Sequence, residues 1–276
     1  MGMKNSAQSF QRMMDSILAG MPNVFCYLDD LLIYNKSEKE HLETLDILFK
    51  KLADAGLPLA LSKCLYGVSS LDYQGYMVSP TGIAPMKRKV EGIQNFPQPT
   101  KQKEMLAFLG SLNYYRASLP KLSAEESADP KSAPPTRTPA EVLDPLYKLA
   151  TCKLAKTKTN AFADIWNNSA KIQNALKDAK TLLTKAVTLN HPVPSAPLSL
   201  STDASKIALG ASLDQWVGGA WRPLGFWSKS LRPEQQRYST YIRELLAIKF
   251  AVRHFVNEIN ERELIIFTDN KPLLGS

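Results

Sequence analysis

The sequence is poor in the residue types that most often build metal clusters and covalent cross-links. Among 276 residues there are three cysteines (Cys26, Cys64, Cys152) and three histidines (His41, His191, His254). The cysteines are odd in number and far apart, which excludes a disulfide framework or a zinc cluster, and no histidine has a partner at metal-ligand spacing. No uninterrupted apolar run approaches the ~18 residues a membrane-spanning helix needs, and the N-terminus lacks a signal-peptide core. These absences lead us to expect a soluble chain of a reducing, intracellular compartment.

What is present is ordinary for a globular protein: 44% apolar, 22% charged and 9% aromatic residues. The length is enough for two domains. The net charge of +8 is unevenly placed. Between Pro85 and Lys121, seven basic residues (Lys87, Arg88, Lys89, Lys101, Lys103, Arg116, Lys121) face only Glu91 and Glu104. Such a stretch suits an anionic partner.

Periodicity organises the chain. Phe10, Met13, Met14, Ile17 and Leu18 predict a helix capped by Ser6, followed by two short apolar runs, Val24 to Tyr27 and Leu31 to Tyr34. Asp29 and Asp30 separate these runs, the layout of a β-hairpin with a dicarboxylate at its tip. Ser37 and Glu40 form a capping box for a helix with its stripe at Leu42, Leu45, Leu48, Phe49 and Leu52, ended by Gly56. Strand-like pieces around 71–78 precede helices over 86–95 and 100–117. Residues 123–139 hold four prolines and no large apolar residue, so a linker or disordered insertion is expected there. Helical spacing resumes from Ile172 to Ala186. The period then changes: three strands (198–202, 208–213, 220–227), a long helix with Pro233 in its first turn, and a fourth strand (264–268) ending at Asp269. Tyr238, Ile242, Leu245, Leu246, Ile248 and Phe255 are expected to face the core, and the four tryptophans to be packing residues.

Two sets of carboxylates stand out. Two adjacent carboxylates such as Asp29 and Asp30 cannot both be buried unpaired without a cation, and paired Mg²⁺ ions about 3.5–4 Å apart are what phosphoryl-transfer enzymes use. On the tetrapeptide alone, a solvated turn is the commoner reading, since aspartate is a favoured turn residue. Asp203 and Asp269 end strands and Glu244 lies on the long helix, so the three can converge to ligate cations. Singly, each also reads as an ordinary turn or surface residue.

Taken together, the motifs resemble those of gypsy-type LTR retrotransposon polyproteins. Gly2-Met3-Lys4-Asn5-Ser6-Ala7-Gln8-Ser9-Phe10-Gln11 is similar to the template- and nucleotide-binding motif of their reverse transcriptases, and Tyr27-Leu28-Asp29-Asp30-Leu31-Leu32-Ile33-Tyr34 to the polymerase catalytic motif. Tyr73-Gln74-Gly75-Tyr76 stands where the primer-grip hairpin normally reads Leu-Gly-His, with only Gly75 retained. Phe108-Leu109-Gly110 through Asn113-Tyr114-Tyr115-Arg116 resembles the thumb helix. Thr202-Asp203-Ala204-Ser205, Leu209-Gly210-Ala211, Phe226-Trp227-Ser228-Lys229, Tyr238-Ser239-Thr240, Arg243-Glu244-Leu245-Leu246-Ala247 and Thr268-Asp269-Asn270 resemble the RNase H domain that follows.

The resemblance implies an α+β chain: a partial palm over 1–84, a helical thumb over 85–122, a linker or connection over 123–196 with its disordered insertion at 123–139, and an incomplete RNase H-like α/β domain over 197–276. It implies RNA-directed DNA polymerase and ribonuclease H as the family activity, with Asp29, Asp30, Asp203, Glu244 and Asp269 as catalytic and metal-binding residues and Mg²⁺ (or Mn²⁺) as cofactor. Lys87, Arg88, Lys89, Lys101, Lys103 and Arg116 are the expected nucleic-acid contacts. The partners are RNA/DNA hybrid, DNA primer–template and, in the complete enzyme, deoxynucleoside triphosphates. Cytoplasm, virus-like particles or nucleus are the expected locations. In the family a further palm aspartate precedes the first motif and a fourth RNase H carboxylate follows Asp269, so both sites are expected to be incomplete and the isolated chain inactive. A non-catalytic nucleic-acid-binding remnant and a non-functional pseudogene product are the alternatives.

Overall fold

The computed structural model describes residues 5–128, 136–152 and 161–268. The chain divides into two compact units, Met1–Tyr73 and Gln74–Ser276.

The first unit contains α1 (Ser6–Ile17), the antiparallel hairpin of β1 (Val24–Tyr27) and β2 (Asp30–Ile33), α2 (Glu38–Asp54) and β3 (Leu71–Tyr73). Met14 and Leu18 from the first helical segment meet Leu48 and Leu52 of α2, and Val24, Cys26, Leu31 and Ile33 pack against them. Ser6 is the first helical residue rather than the cap; Asn5 precedes it and makes no side-chain capping bond. Ser37 caps α2, its Oγ accepting from Glu40 N at 3.3 Å. Glu40 returns its carboxylate to Lys36 N at 3.2 Å, one residue earlier than a capping box requires.

The second unit opens with the hairpin of β4 (Tyr76–Ser79) and β5 (Gly82–Pro85). Then come α3 (Lys87–Gln94), α4 (Gln102–Tyr114), the short pair β6 (Leu122–Ser123) and β7 (Thr136–Arg137), and helices α5 (Pro139–Thr151), α6 (Ala161–Asn167) and α7 (Ala170–Thr184). Gly82 is required where it stands. Its φ is +138°, and a Cβ there would lie 2.2 Å from the carbonyl oxygen of Leu189, whose backbone bonds Ile83 in both directions.

The expectation of a disordered insertion at 123–139 needs correction at both ends. Leu122 and Ser123 pair with Arg137 and Thr136. Thr138 and Glu141 form a complete capping box with Pro139 in the first turn of α5. Residues 129–135 lie outside the described residues. Nor is 123–196 merely a linker. Phe108 and Leu112 of α4, Leu143 and Leu146 of α5, and Ala179 and Leu182 of α7 belong to one buried cluster. Apolar burial of that kind stabilises by about 25 cal/mol per Å², so α5 and α7 are part of the same core as α4.

One buried ion pair fastens this region. Asp178 on α7, 1% exposed, accepts from Arg137 Nη2 at 2.5 Å, from Ala128 N at 2.5 Å and from Ser127 Oγ at 3.3 Å. Arg137 Nη2 also donates to Ser127 Oγ at 2.7 Å.

The rest of the unit is a four-stranded sheet in the order β10–β9–β8–β11, from β8 (Leu198–Ala204), β9 (Ala208–Val217), β10 (Ala220–Ser230) and β11 (Leu264–Phe267). β11 runs parallel to β8 and the other pairs are antiparallel. All three of the first strands run longer than expected. α8 (Thr240–His254) crosses between them and is followed by the single turn α9 (Val256–Ile259). Pro233 lies outside α8, which starts at Thr240 with Ser239 as its cap. The expected apolar face holds only in part, at Phe255, which is buried, and Leu246, which packs against the core. Arg243, Glu244, Ala247 and Ala251 are buried, whereas Tyr238, Ile242 and Leu245 are exposed. Small residues let the helix approach β8 and β9 closely. Trp166 is buried, but Trp216 and Trp221 are exposed and stack edge-on at 5.2 Å rather than filling a core.

Removing Asp178 should leave a largely buried guanidinium without its anion. Asp178→Ala is expected to lose about 3–5 kcal/mol in a urea titration, whereas Glu43→Ala, which breaks the exposed pair with Lys39, should lose less than ~0.5 kcal/mol.

Candidate carboxylate sites and basic surface

The first candidate site is a two-residue hairpin tip. Tyr27 pairs with Asp30, so Leu28 and Asp29 form the loop. Only the first of these has a positive φ, +53° for Leu28. That position ordinarily takes glycine, and a β-carbon there costs roughly 1–2 kcal/mol.

Side chains hold the strained residue from both sides. Leu28 N donates to Gln11 Oε1 at 2.7 Å, and the Cys26 thiol donates to Leu28 O at 3.2 Å. Gln11 Nε2 in turn donates to Cys26 O at 3.1 Å and to Asp15 Oδ1 at 2.8 Å. Burial and the Asp15 charge push the Cys26 thiol above its usual range, which keeps it protonated as the donor. Tyr73 OH donates to Asp30 O at 3.3 Å; burial and the Asp30 charge push its hydroxyl up to about 12. Asp29 and Asp30 are exposed on this fixed backbone.

The second candidate site lies in the other unit, at the end of β8. Glu244, 3% exposed in the second turn of α8, accepts from Ala204 N at 3.2 Å through Oε1. Asp203 is the neighbouring strand residue, so the fold brings these two carboxylate-bearing residues to one strand end. Its Oδ2 is 2.5 Å from the ammonium of Lys121, and both side chains are about 40% exposed. Asp269 lies outside the described residues. Among the described residues no group of three or more histidine, cysteine or acidic side chains converges. The donors present are hard oxygens without soft ligands, a set that fits Mg²⁺ or Mn²⁺.

The basic residues divide into two groups. Lys87, Arg88 and Lys89 form the first turn of α3, Lys101 and Lys103 stand at the start of α4, and all five are exposed. None of them forms an ion pair among the described residues. Arg116 differs. It is half-buried, its Nη2 donating to the carbonyl and, at 3.2 Å, to the hydroxyl of Ser228 on β10, and its Nη1 to Asn113 at 3.3 Å. Its guanidinium joins the end of α4 to the sheet instead of standing among the exposed cations.

Gln74-Gly75-Tyr76 is held by the end of α4. Tyr114 OH donates to Gln74 O, Tyr115 OH to Gly75 O at 3.0 Å, and Tyr76 OH to Tyr114 O at 2.8 Å. Burial first, then its tyrosine neighbours, pushes the Tyr76 hydroxyl up to about 12.

The sequence signals neither the Gln11–Leu28 nor the Lys121–Asp203 contact. Gln11 sat inside a motif and Lys121 inside a charge count; neither has a local signal, because their partners are far along the chain.

The family model for reverse transcriptase (RNA-dependent DNA polymerase) matches residues 1–78, and that for the RNase H-like domain found in reverse transcriptase matches residues 166–266. The retrovirus-related Pol polyprotein from transposon 297 of Drosophila melanogaster is 34% identical over 99% of this chain, and that from transposon gypsy of the same organism 31% identical over 99%. The chain spans 23% and 25% of their lengths. Among solved structures, foamy viral protease–reverse transcriptase bound to double-stranded DNA matches 99% of this chain and 52% of its own with a TM-score of 0.74 at 20% identity. The same protein bound to RNA/DNA hybrid matches 99% and 34% with a TM-score of 0.73 at 19% identity, and both show the fold. The chain is thus similar over nearly its whole length to the stretch of gypsy-type retrotransposon Pol polyproteins that runs from reverse transcriptase into the RNase H-like domain.

Proposed function

We propose that this chain contributes carboxylates for divalent cations and a duplex-backbone surface to an RNA-directed DNA polymerase with ribonuclease H. The observation that carries the reading is the Leu28 turn. A non-glycine residue at φ +53° is kept only where surrounding groups over-determine it, and here Gln11, Cys26 and Tyr73 do so around two exposed aspartates. Asp29 and Asp30 would hold Mg²⁺ or Mn²⁺ in the first unit, and Asp203 and Glu244, with Asp269, in the second. Bound there, paired divalent cations would supply Lewis acidity for phosphoryl transfer from deoxynucleoside triphosphates or for hybrid hydrolysis. The protein's own part is to fix the carboxylates on strand ends before substrate arrives.

The exposed cations support the nucleic-acid half of the proposal. Three basic residues in the first turn of α3 oppose the helix dipole, and no acidic residue offsets them there. An anion at that end relieves the repulsion. Lys101 and Lys103 extend the charge. RNA/DNA hybrid and DNA primer–template carry phosphates suited to this surface, and contacts of that kind position a duplex without reading its sequence.

Two outcomes are expected. Binding of a labelled RNA/DNA hybrid, followed by anisotropy, should weaken with salt at a log–log slope of about −0.9 per phosphate neutralised. Changing Lys87, Arg88, Lys89, Lys101 and Lys103 to glutamine should flatten it; a slope unchanged by those substitutions would refute the surface. Gln11→Ala should speed amide exchange at Leu28 and lower first-unit stability by about 0.5–1.5 kcal/mol, because a partly buried donor loses its acceptor. An unchanged Leu28 exchange rate would show that the clamp does not hold the turn.

A further inference from the structure

Three strands of the sheet share one row. Asp203 on β8 pairs with Gly210 on β9, and Gly210 pairs with Ser228 on β10. Two cations from the segment after α4 land on the ends of this row: Lys121 on Asp203, and Arg116 on Ser228. Between them Gly210 has no side chain. A Cβ there would sit 2.6 Å from Thr138 Cγ2 and 3.8 Å from Lys121 Cε. The lysine stem thus lies beside the glycine on its way to the carboxylate.

The two cations are held differently. Arg116 donates to a carbonyl and a hydroxyl, so it carries no anion with it, and Ser228 Oγ also accepts from Ala140 N at 3.1 Å. That junction is structural. Lys121 instead meets a carboxylate in an ion pair that is about 40% exposed on both sides. Its backbone is nonetheless fixed, because Leu119 and Leu122 on either side are fully buried and Leu122 pairs with Arg137. The ammonium is delivered to one place, yet solvent can reach it and another cation can displace it.

We propose that Lys121 is a built-in counter-ion of the RNase H-like carboxylate site, a positioning residue whose ammonium holds the cation position on Asp203 and sets how tightly a divalent cation is taken there. The proposal rests on the reading of Asp203 and Glu244 as cation ligands. Without a divalent cation, Lys121 neutralises Asp203 beside the buried Glu244 and keeps the strand end from repelling α8. When a divalent cation arrives, the ammonium must leave Asp203 or share it. An exposed ion pair of this kind is weak, so the competition amounts to about a two- to fivefold change in affinity.

The test is an electron paramagnetic resonance titration with Mn²⁺ of the whole 276-residue chain. Asp29→Asn and Asp30→Asn are carried throughout so that only the second site is read. Lys121→Gln should bind Mn²⁺ about two- to fivefold more tightly than the parent. Lys121→Arg, which keeps the charge, should stay within about twofold of the parent, and Asp203→Asn should remove the site in all backgrounds. Lys121→Met replaces Lys121→Gln if thermal melting shows that glutamine loosens the fold. Affinity unchanged or weakened in the neutral variants, with Asp203→Asn still abolishing binding, would overturn the counter-ion role and leave the site standing. Mn²⁺ binding indifferent to Asp203→Asn would overturn the site reading and the proposal with it.

Discussion

Carboxylates of like charge cannot be gathered at one point without a positive charge to hold them, and both candidate sites are shaped by that constraint. The first unit meets it by exposure: Asp29 in the two-residue loop and Asp30 at the start of β2 project into water, which screens their repulsion. The second unit buries Glu244, satisfies it in part with the backbone N–H of Ala204, and sets an ammonium on Asp203. Exposure leaves a site open to incoming cations, whereas an internal ammonium makes cation uptake an exchange. The two sites therefore differ in chemistry although both rest on strand-end aspartates.

The same constraint explains how the backbone is reinforced. At the hairpin tip, strain at Leu28 is tolerated because Gln11 and Cys26 satisfy both of its polar groups. At the sheet, the helical layer comes close enough to deliver Lys121 only because Gly210 leaves room for Thr138, the residue that also caps α5. A cap, a glycine and a lysine from distant stretches of sequence thus meet over one strand pair. The buried pair of Arg137 and Asp178 holds the two sides of the intervening segment, so the cap stands in a fixed place.

Much of this was legible in the residues. The alternation around Asp29 and Asp30, the signal at Ser37 and Glu40, and the change from helical to strand period after Pro197 all correspond to elements observed. Thr138-Pro139-Ala140-Glu141 carried a helix-start signal as strong as that of α2, but the surrounding prolines drew attention to disorder instead. For α8, hydrophobicity was a partial guide: Phe255 just past its end is buried and Leu246 packs against the core, but most of the buried side is built from Arg243, Glu244, Ala247 and Ala251, because close helix–sheet approach favours small residues. Trp216 and Trp221 misled for the opposite reason, since large aromatics pair across an exposed hairpin as readily as they fill a core. The roles of Gln11, Lys121 and Asp178 had no local signature, for each is defined by a partner far along the chain.

The proposal that the two aspartate-bearing strand ends are cation sites can be tested residue by residue. Amide spectra of the isotopically labelled chain, recorded with sub-stoichiometric Mn²⁺, test it most directly. Paramagnetic broadening confined to residues around Asp29 and Asp30 and around Asp203 and Glu244 is the predicted result. Broadening spread over surface acidic residues such as Glu38 and Glu43, with those two regions left sharp, would contradict it.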